Sequence, residues 1–113
     1  MTKKEFDKYL ARDLHCYHCG LIDDTLVPQH RLGRGMGGKN KQANQVSNII
    51  VFCSEANGLI ESSSLLANMA RTYGWKLRAG QEPANTPVYD CGKWYLLTQD
   101  FRRIPFEIDT EYF

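Results

Sequence analysis

The chain has no apolar run approaching the roughly 18 residues that cross a membrane, and its first residues, Met1-Thr2-Lys3-Lys4-Glu5, are polar and charged rather than the apolar core of a secretory leader. These absences point away from a membrane, and the expectation is a cytosolic protein. There is no internal repeat and no low-complexity tract, so the 113 residues are read as one domain spanning 1–113. Net charge is also small, +1, and by itself selects no partner. One sign is missing locally, however. From Thr25 to Ser54 there is no Asp or Glu, and the only charged side chains are Arg31, Arg34, Lys39 and Lys41. A cationic stretch on a near-neutral chain fits contact with nucleic acid, whose binding follows the phosphates engaged rather than total charge. Cysteines are few: Cys16, Cys19, Cys53 and Cys91. In a cytosolic chain they are expected to be reduced or metal-bound rather than joined in disulfides.

Thr2-Lys3-Lys4-Glu5 has capping-box spacing, and Phe6, Leu10 and Leu14 follow at helical intervals, which predicts an amphipathic helix over about 3–13. Cys16-Tyr17-His18-Cys19-Gly20 reads as a tight knuckle. Leu26 to His30 and Asn48 to Phe52 read as short strands, separated by a polar, four-glycine loop over 32–45. A compact domain rarely keeps so long a loop without a use for it. A helix is expected from about Glu55 to Tyr73, with Leu59, Leu66, Ala70 and Tyr73 on its buried face and Gly74 as its stop. Gly58 and the run Ser62-Ser63-Ser64 offer the alternative of two helices. After a proline-punctuated loop, Val88-Tyr89 and Trp94-Tyr95-Leu96-Leu97 flank Asp90-Cys91-Gly92-Lys93 as a β-hairpin.

The segment Gln29-His30-Arg31-Leu32-Gly33-Arg34-Gly35-Met36-Gly37-Gly38 carries the chemistry. Arginines pair with phosphate oxygens and glycines let backbone N–H groups approach closely. Phosphodiester hydrolysis needs an activated water and stabilisation of charge on phosphorus oxygens. An imidazole titrating near neutrality can activate the water, and a Mg²⁺-like ion can stabilise the charge. Asn57, near the start of the second helix, offers an oxygen that a hard cation accepts. Strand, loop, strand and helix in succession could bring His30 and Asn57 to one phosphate.

These residues resemble the HNH endonucleases, in particular a phage-type branch with a His-Arg-x-x-Arg-Gly-Met-Gly-Gly loop. The resemblance runs from about Cys16 to Leu97. It takes in Ser47-Asn48-Ile49, Cys53, Asn57-Gly58-Leu59-Ile60-Glu61-Ser62, Tyr73-Gly74-Trp75, Glu82-Pro83-Ala84 and Pro87-Val88. It implies an α+β fold with a small ββα-metal (HNH/His-Me finger) core over about 16–75, an added N-terminal helix and a C-terminal hairpin over about 87–98. It implies DNA cleavage or nicking with His30 as general base, Asn48 tying the loop together and orienting the histidine, and Asn57 holding Mg²⁺ or Mn²⁺. Gln29 stands where the family usually has a metal-binding Asp or His and would be the second metal residue. Arg31 and Arg34 would grip phosphate. The implied partners are DNA and phage packaging proteins, in the cytosol of a host cell.

Relatives often place two Cys-x-x-Cys knuckles around a structural Zn²⁺. Here Cys16 and Cys19 form the first, but of the second only Cys53 remains, because Ala56 occupies the other position. A structural zinc normally takes four ligands, and His15, His18 or Cys91 are the candidates to complete the set. With Gln29 and Asn57 both neutral, the alternative is an HNH scaffold that binds DNA or a protein without turnover. A zinc-knuckle interaction domain is the third reading.

Overall fold

The computed structural model describes residues 1–33 and 41–107. Helix α1 spans Lys3–Asp13, and the Thr2 hydroxyl caps it by accepting the Glu5 N–H at 3.1 Å. Leu14 then turns left-handed at φ 69° and its N–H closes on the Leu10 carbonyl. Leu14 therefore ends the helix and is 62 % exposed, rather than extending the apolar stripe expected from its spacing. Tyr9 and Asp13 are the buried residues of this helix instead.

Strands β1 (Leu26–His30) and β2 (Ile49–Cys53) pair antiparallel, with Leu26 opposite Cys53 and His30 opposite Ile49. All five residues of β2 are buried. Ile49 and Val51 pack with Tyr9, Phe6 and Leu10 of α1, whereas Ile50 and Phe52 join the cluster containing Ala56, Ile60, Leu66, Ala70 and Trp75. A strand covered on both faces explains an unbroken apolar run in place of alternation. Each side chain so buried contributes about 1.5–3 kcal/mol.

Helix α2 (Ser54–Ser62) begins directly after β2, and α3 (Ser64–Thr72) follows a one-residue break. Ser63 is extended, and its hydroxyl accepts the Leu66 N–H at 3.3 Å. The serine run thus takes the two-helix alternative, because a serine at an N-cap satisfies an amide that a helix interior would not offer it. The break also shifts the phase of the buried face. Ala56 and Ile60 face the core, and Leu59, expected inside, is 41 % exposed.

Gly74 follows α3 at φ 76°, and a Cβ there would sit 2.2 Å from the Pro87 carbonyl oxygen. Only glycine fits. Strands β3 (Val88–Asp90) and β4 (Lys93–Leu97) form the expected hairpin, turning through Cys91 and Gly92, both at positive φ. A further strand, β5 (Arg103–Pro105), pairs with β4 and completes a three-stranded sheet. The fold is α+β, with three α-helices and two small antiparallel sheets among the described residues. No helix among them is long and apolar enough to cross a membrane.

Candidate functional site

His30 closes β1 and is half-buried; α2 starts at the far end of β2 and packs back over β1. That return brings Asn57 to Gln29. The Asn57 carboxamide donates from Nδ2 to Gln29 Oε1 at 2.6 Å. Gln29 itself is buried, and its Nε2 donates to the carbonyls of His30 at 3.1 Å and Trp75 at 3.3 Å. These two carbonyls fix which end of the Gln29 amide faces Asn57, because the opposite orientation would set oxygen against oxygen. The two side chains expected to share a cation therefore adjoin each other, next to His30. As they stand they satisfy one another, leaving Asn57 Oδ1 as the pair's outward acceptor. Glu61 follows Asn57 by one helical turn on the same face of α2 and is exposed.

Asn48 is fully buried just ahead of β2. Its Oδ1 accepts the Leu32 N–H at 2.7 Å, and its Nδ2 donates to the carbonyls of Leu32 and Ala43, each at 3.0 Å. One side chain thereby clasps both ends of the long loop. The Asn48 carbonyl also accepts the Arg31 N–H at 2.8 Å, which joins the clasp to the residue after His30. Arg34 lies outside the described residues, as do the glycines from 35 to 38.

Arg31 is not on the surface. The expectation that it grips phosphate is corrected by its burial, with 0 % of the residue exposed. Nε donates to the Gly74 carbonyl at 2.7 Å, and Nη1 to those of Ser47 and Pro83 at 2.9 and 3.0 Å. Nη2 reaches Thr86 at 2.7 Å and Pro87 at 3.5 Å. All five donors of a guanidinium are thus spent on backbone carbonyls, which joins the segments at 47, 74 and 83–87 behind the site. Burial pulls its pKa down to about 9, so it stays cationic at neutral pH, balanced by carbonyl dipoles.

A second arginine, absent from the expected site, supports the same segment. Arg12 donates to the carbonyls of Val46 at 3.2 Å and Ile49 at 2.5 Å, and pairs with buried Asp13 at 2.6 Å. Asp13 in turn accepts the Tyr17 hydroxyl at 2.7 Å and the Val51 N–H at 3.2 Å. Arg12 and Arg31 therefore bracket Asn48 from both sides through its neighbours' carbonyls. The only sequence signal was an adjacent Arg-Asp pair at a helix end, which surface helices also carry.

Two side-chain clusters among the described residues could hold a metal ion. In the first, the sulfurs of Cys16, Cys19 and Cys53 lie within 4.8 Å of one another, with Cys19 and Cys53 at 3.9 Å. A tetrahedral centre with metal–sulfur bonds of about 2.3 Å sets its sulfurs about 3.8 Å apart, so the spacing suits such an ion. Backbone N–H groups already point at two of the sulfurs, from His18 to Cys16 at 3.3 Å and from Ala56 to Cys53 at 3.4 Å. The second cluster joins His15, Asp90 and Cys91. There His15 Nε2 lies 2.7 Å from Asp90, which Arg103 also bridges at 2.8 Å, and 3.6 Å from Cys91 Sγ. His15 and Cys91 thus group with Asp90 rather than with the three sulfurs, although Cys91 and Cys19 line one hollow. The His18 ring packs against Phe52 and Trp75.

Comparison with protein-family models, curated proteins and solved structures finds no match.

Proposed function

We propose that this protein is a metal-dependent DNA endonuclease of the HNH type, hydrolysing phosphodiester bonds at a ββα-metal centre. The observation that carries the reading is the meeting of Gln29 and Asn57 at 2.6 Å beside His30, with Asn48 clasping the intervening loop. Residues far apart in sequence converge where the resemblance assigns one site.

In this reading His30 accepts a proton from the attacking water, the role a near-neutral imidazole fills best. Asn48 ties Leu32, two residues after the histidine, to Ala43. Asn57 Oδ1, with Glu61 a turn further on, would offer oxygen donors of the kind a hard cation takes. When bound, Mg²⁺ or Mn²⁺ supplies positive charge to the phosphoryl oxygens and the departing 3′ oxygen. The Cys16, Cys19 and Cys53 sulfurs would hold a structural Zn²⁺ that ties the knuckle to the β2–α2 junction.

One observation favours a second reading. Gln29 Oε1 is taken up by Asn57 Nδ2 and position 29 carries no carboxylate, so the scaffold also suits a DNA- or protein-binding module without turnover. Phage packaging proteins in a host cytosol remain the partners that the resemblance suggests.

The test is nicking of supercoiled plasmid with Mg²⁺, Mn²⁺ or EDTA, beside His30→Ala. Relaxed circles that require both metal and His30 support the enzyme. A folded protein that shifts DNA but leaves it intact in every metal moves the assignment to the binding module.

A further inference from the structure

With Arg31 internal, the nucleic-acid reading calls for cations besides Arg34. A groove of about 380 Å³ opens between the end of α2, the start of α3 and the segment after Gly74, and its wall includes Glu61, Asn68, Arg71 and Lys76. A second hollow shares Asn68 and Arg71 with it and reaches Arg78. Together the two adjoining hollows are lined by three cations and one carboxylate. Among the described residues none of the three forms a salt bridge, and Arg71 makes only a 3.1 Å bond to Asn68.

The groove adjoins the candidate site. Gln29 Nε2 donates to the Trp75 carbonyl at 3.3 Å, and the Leu77 N–H donates to the Arg31 carbonyl at 2.7 Å. Lys76 lies in the chain between these two ties, which reach the residues on either side of His30. From the other wall, Glu61 follows Asn57 by one helical turn. The hollows thus lead away from the Gln29–Asn57 pair.

We infer that this groove seats the nucleic-acid phosphate backbone next to the reacting phosphate, with Lys76 nearest His30 and Arg71 and Arg78 further out. The inference rests on the nucleic-acid reading above and supplies cations in place of Arg31. Unpaired, solvated guanidinium and ammonium groups are suited to phosphate, since each phosphate neutralised releases counterions and strengthens binding at low salt. Glu61 is the groove's one opposing charge, so without metal it repels the backbone.

The experiment is fluorescence anisotropy of a labelled duplex of mixed sequence, in EDTA, over a series of KCl concentrations. The parent, K76A, the triple variant R71A/K76A/R78A, K76R and E61Q are compared. The control is K4A, on α1, which packs on the opposite face of β2 from α2. Each cation removed from a phosphate lowers the slope of log K against log salt by about 0.9. The triple variant should therefore lose between about 2 and 3 units of slope and K76A about 1, while K76R keeps the parent slope. E61Q should bind more tightly than the parent, and K4A should match it. All of these side chains reach solvent, and thermal unfolding verifies that the variants fold. A parent slope in the triple variant, with a parent that still binds and nicks, overturns the groove and leaves the enzyme standing. A parent that fails to bind duplex at low salt overturns both.

Discussion

Replacing Arg31, whose buried guanidinium donates to five backbone carbonyls, should lower stability rather than DNA affinity. Arg31→Met keeps much of the side-chain length but removes five N–H donors, leaving the carbonyls of Gly74, Ser47, Pro83, Thr86 and Pro87 without that partner. A charge-assisted bond contributes about 1.5–3 kcal/mol. Summing five would overshoot, because removing the cation also relieves its own desolvation. Breaking a buried ionic group of this kind costs about 3–5 kcal/mol, a large part of the roughly 5–15 kcal/mol that holds a small domain folded. For a chain of this length that is a fall in Tm on the order of 15–25 °C. Arg31→Lys keeps the charge but brings three donors to five acceptors, so its loss should be intermediate. The assay is thermal and urea unfolding followed by circular dichroism, with DNA affinity measured well below each Tm. The folded fraction of Arg31→Met should retain the parent's salt slope. If Arg31→Met unfolds within about 3 °C of the parent but binds DNA with a reduced slope, the arginine is a phosphate contact and the buried clasp is wrong.

Asn48→Ala should cost about 3 kcal/mol by orphaning the Leu32 amide and the Leu32 and Ala43 carbonyls, seen as a lower urea midpoint and faster proteolysis of the long loop. Gln29→Asp should raise Mg²⁺ affinity in calorimetry, since it places a carboxylate beside Asn57; an unchanged affinity means that position 29 does not face the cation. Zinc should co-purify at one ion per chain and be lost in Cys53→Ser, and a full zinc complement in that variant would remove Cys53 from the ligand set. Burial raises the Tyr9 phenol above its usual 10.0. The unfolded chain then ionises first, so stability is fully present below pH 10 and declines as pH climbs past it. Tyr9→Phe should flatten that alkaline decline, and an unchanged pH dependence would refute it.

Local signals were legible because their chemistry is local. The Thr2–Glu5 cap, the apolar run of β2 and the Asp90–Lys93 turn each depend on neighbours within a few residues, and each lies where the sequence placed it. The clasp by Asn48 was legible through the resemblance, since nothing in an isolated Ser-Asn-Ile predicts a partner at Leu32. Arg31 was misread because its acceptors lie at 47, 74 and 83–87, and an arginine among glycines shows no trace of them. β5 was missed because Arg-Ile-Pro is too short to show alternation and contains a proline, which suits only an edge. The groove cations escaped notice because Arg71, Lys76 and Arg78 are dispersed along a helix end and a loop. Only the return of residues 75–77 alongside β1 gathers them.

The most direct test of the central claim is the pH dependence of plasmid nicking in Mg²⁺, measured for the parent and His30→Ala. A histidine base predicts a rate that climbs with pH to a plateau as the base loses its proton, with no cleavage in the variant. Equal rates in the two proteins, or a parent that never nicks, would contradict it.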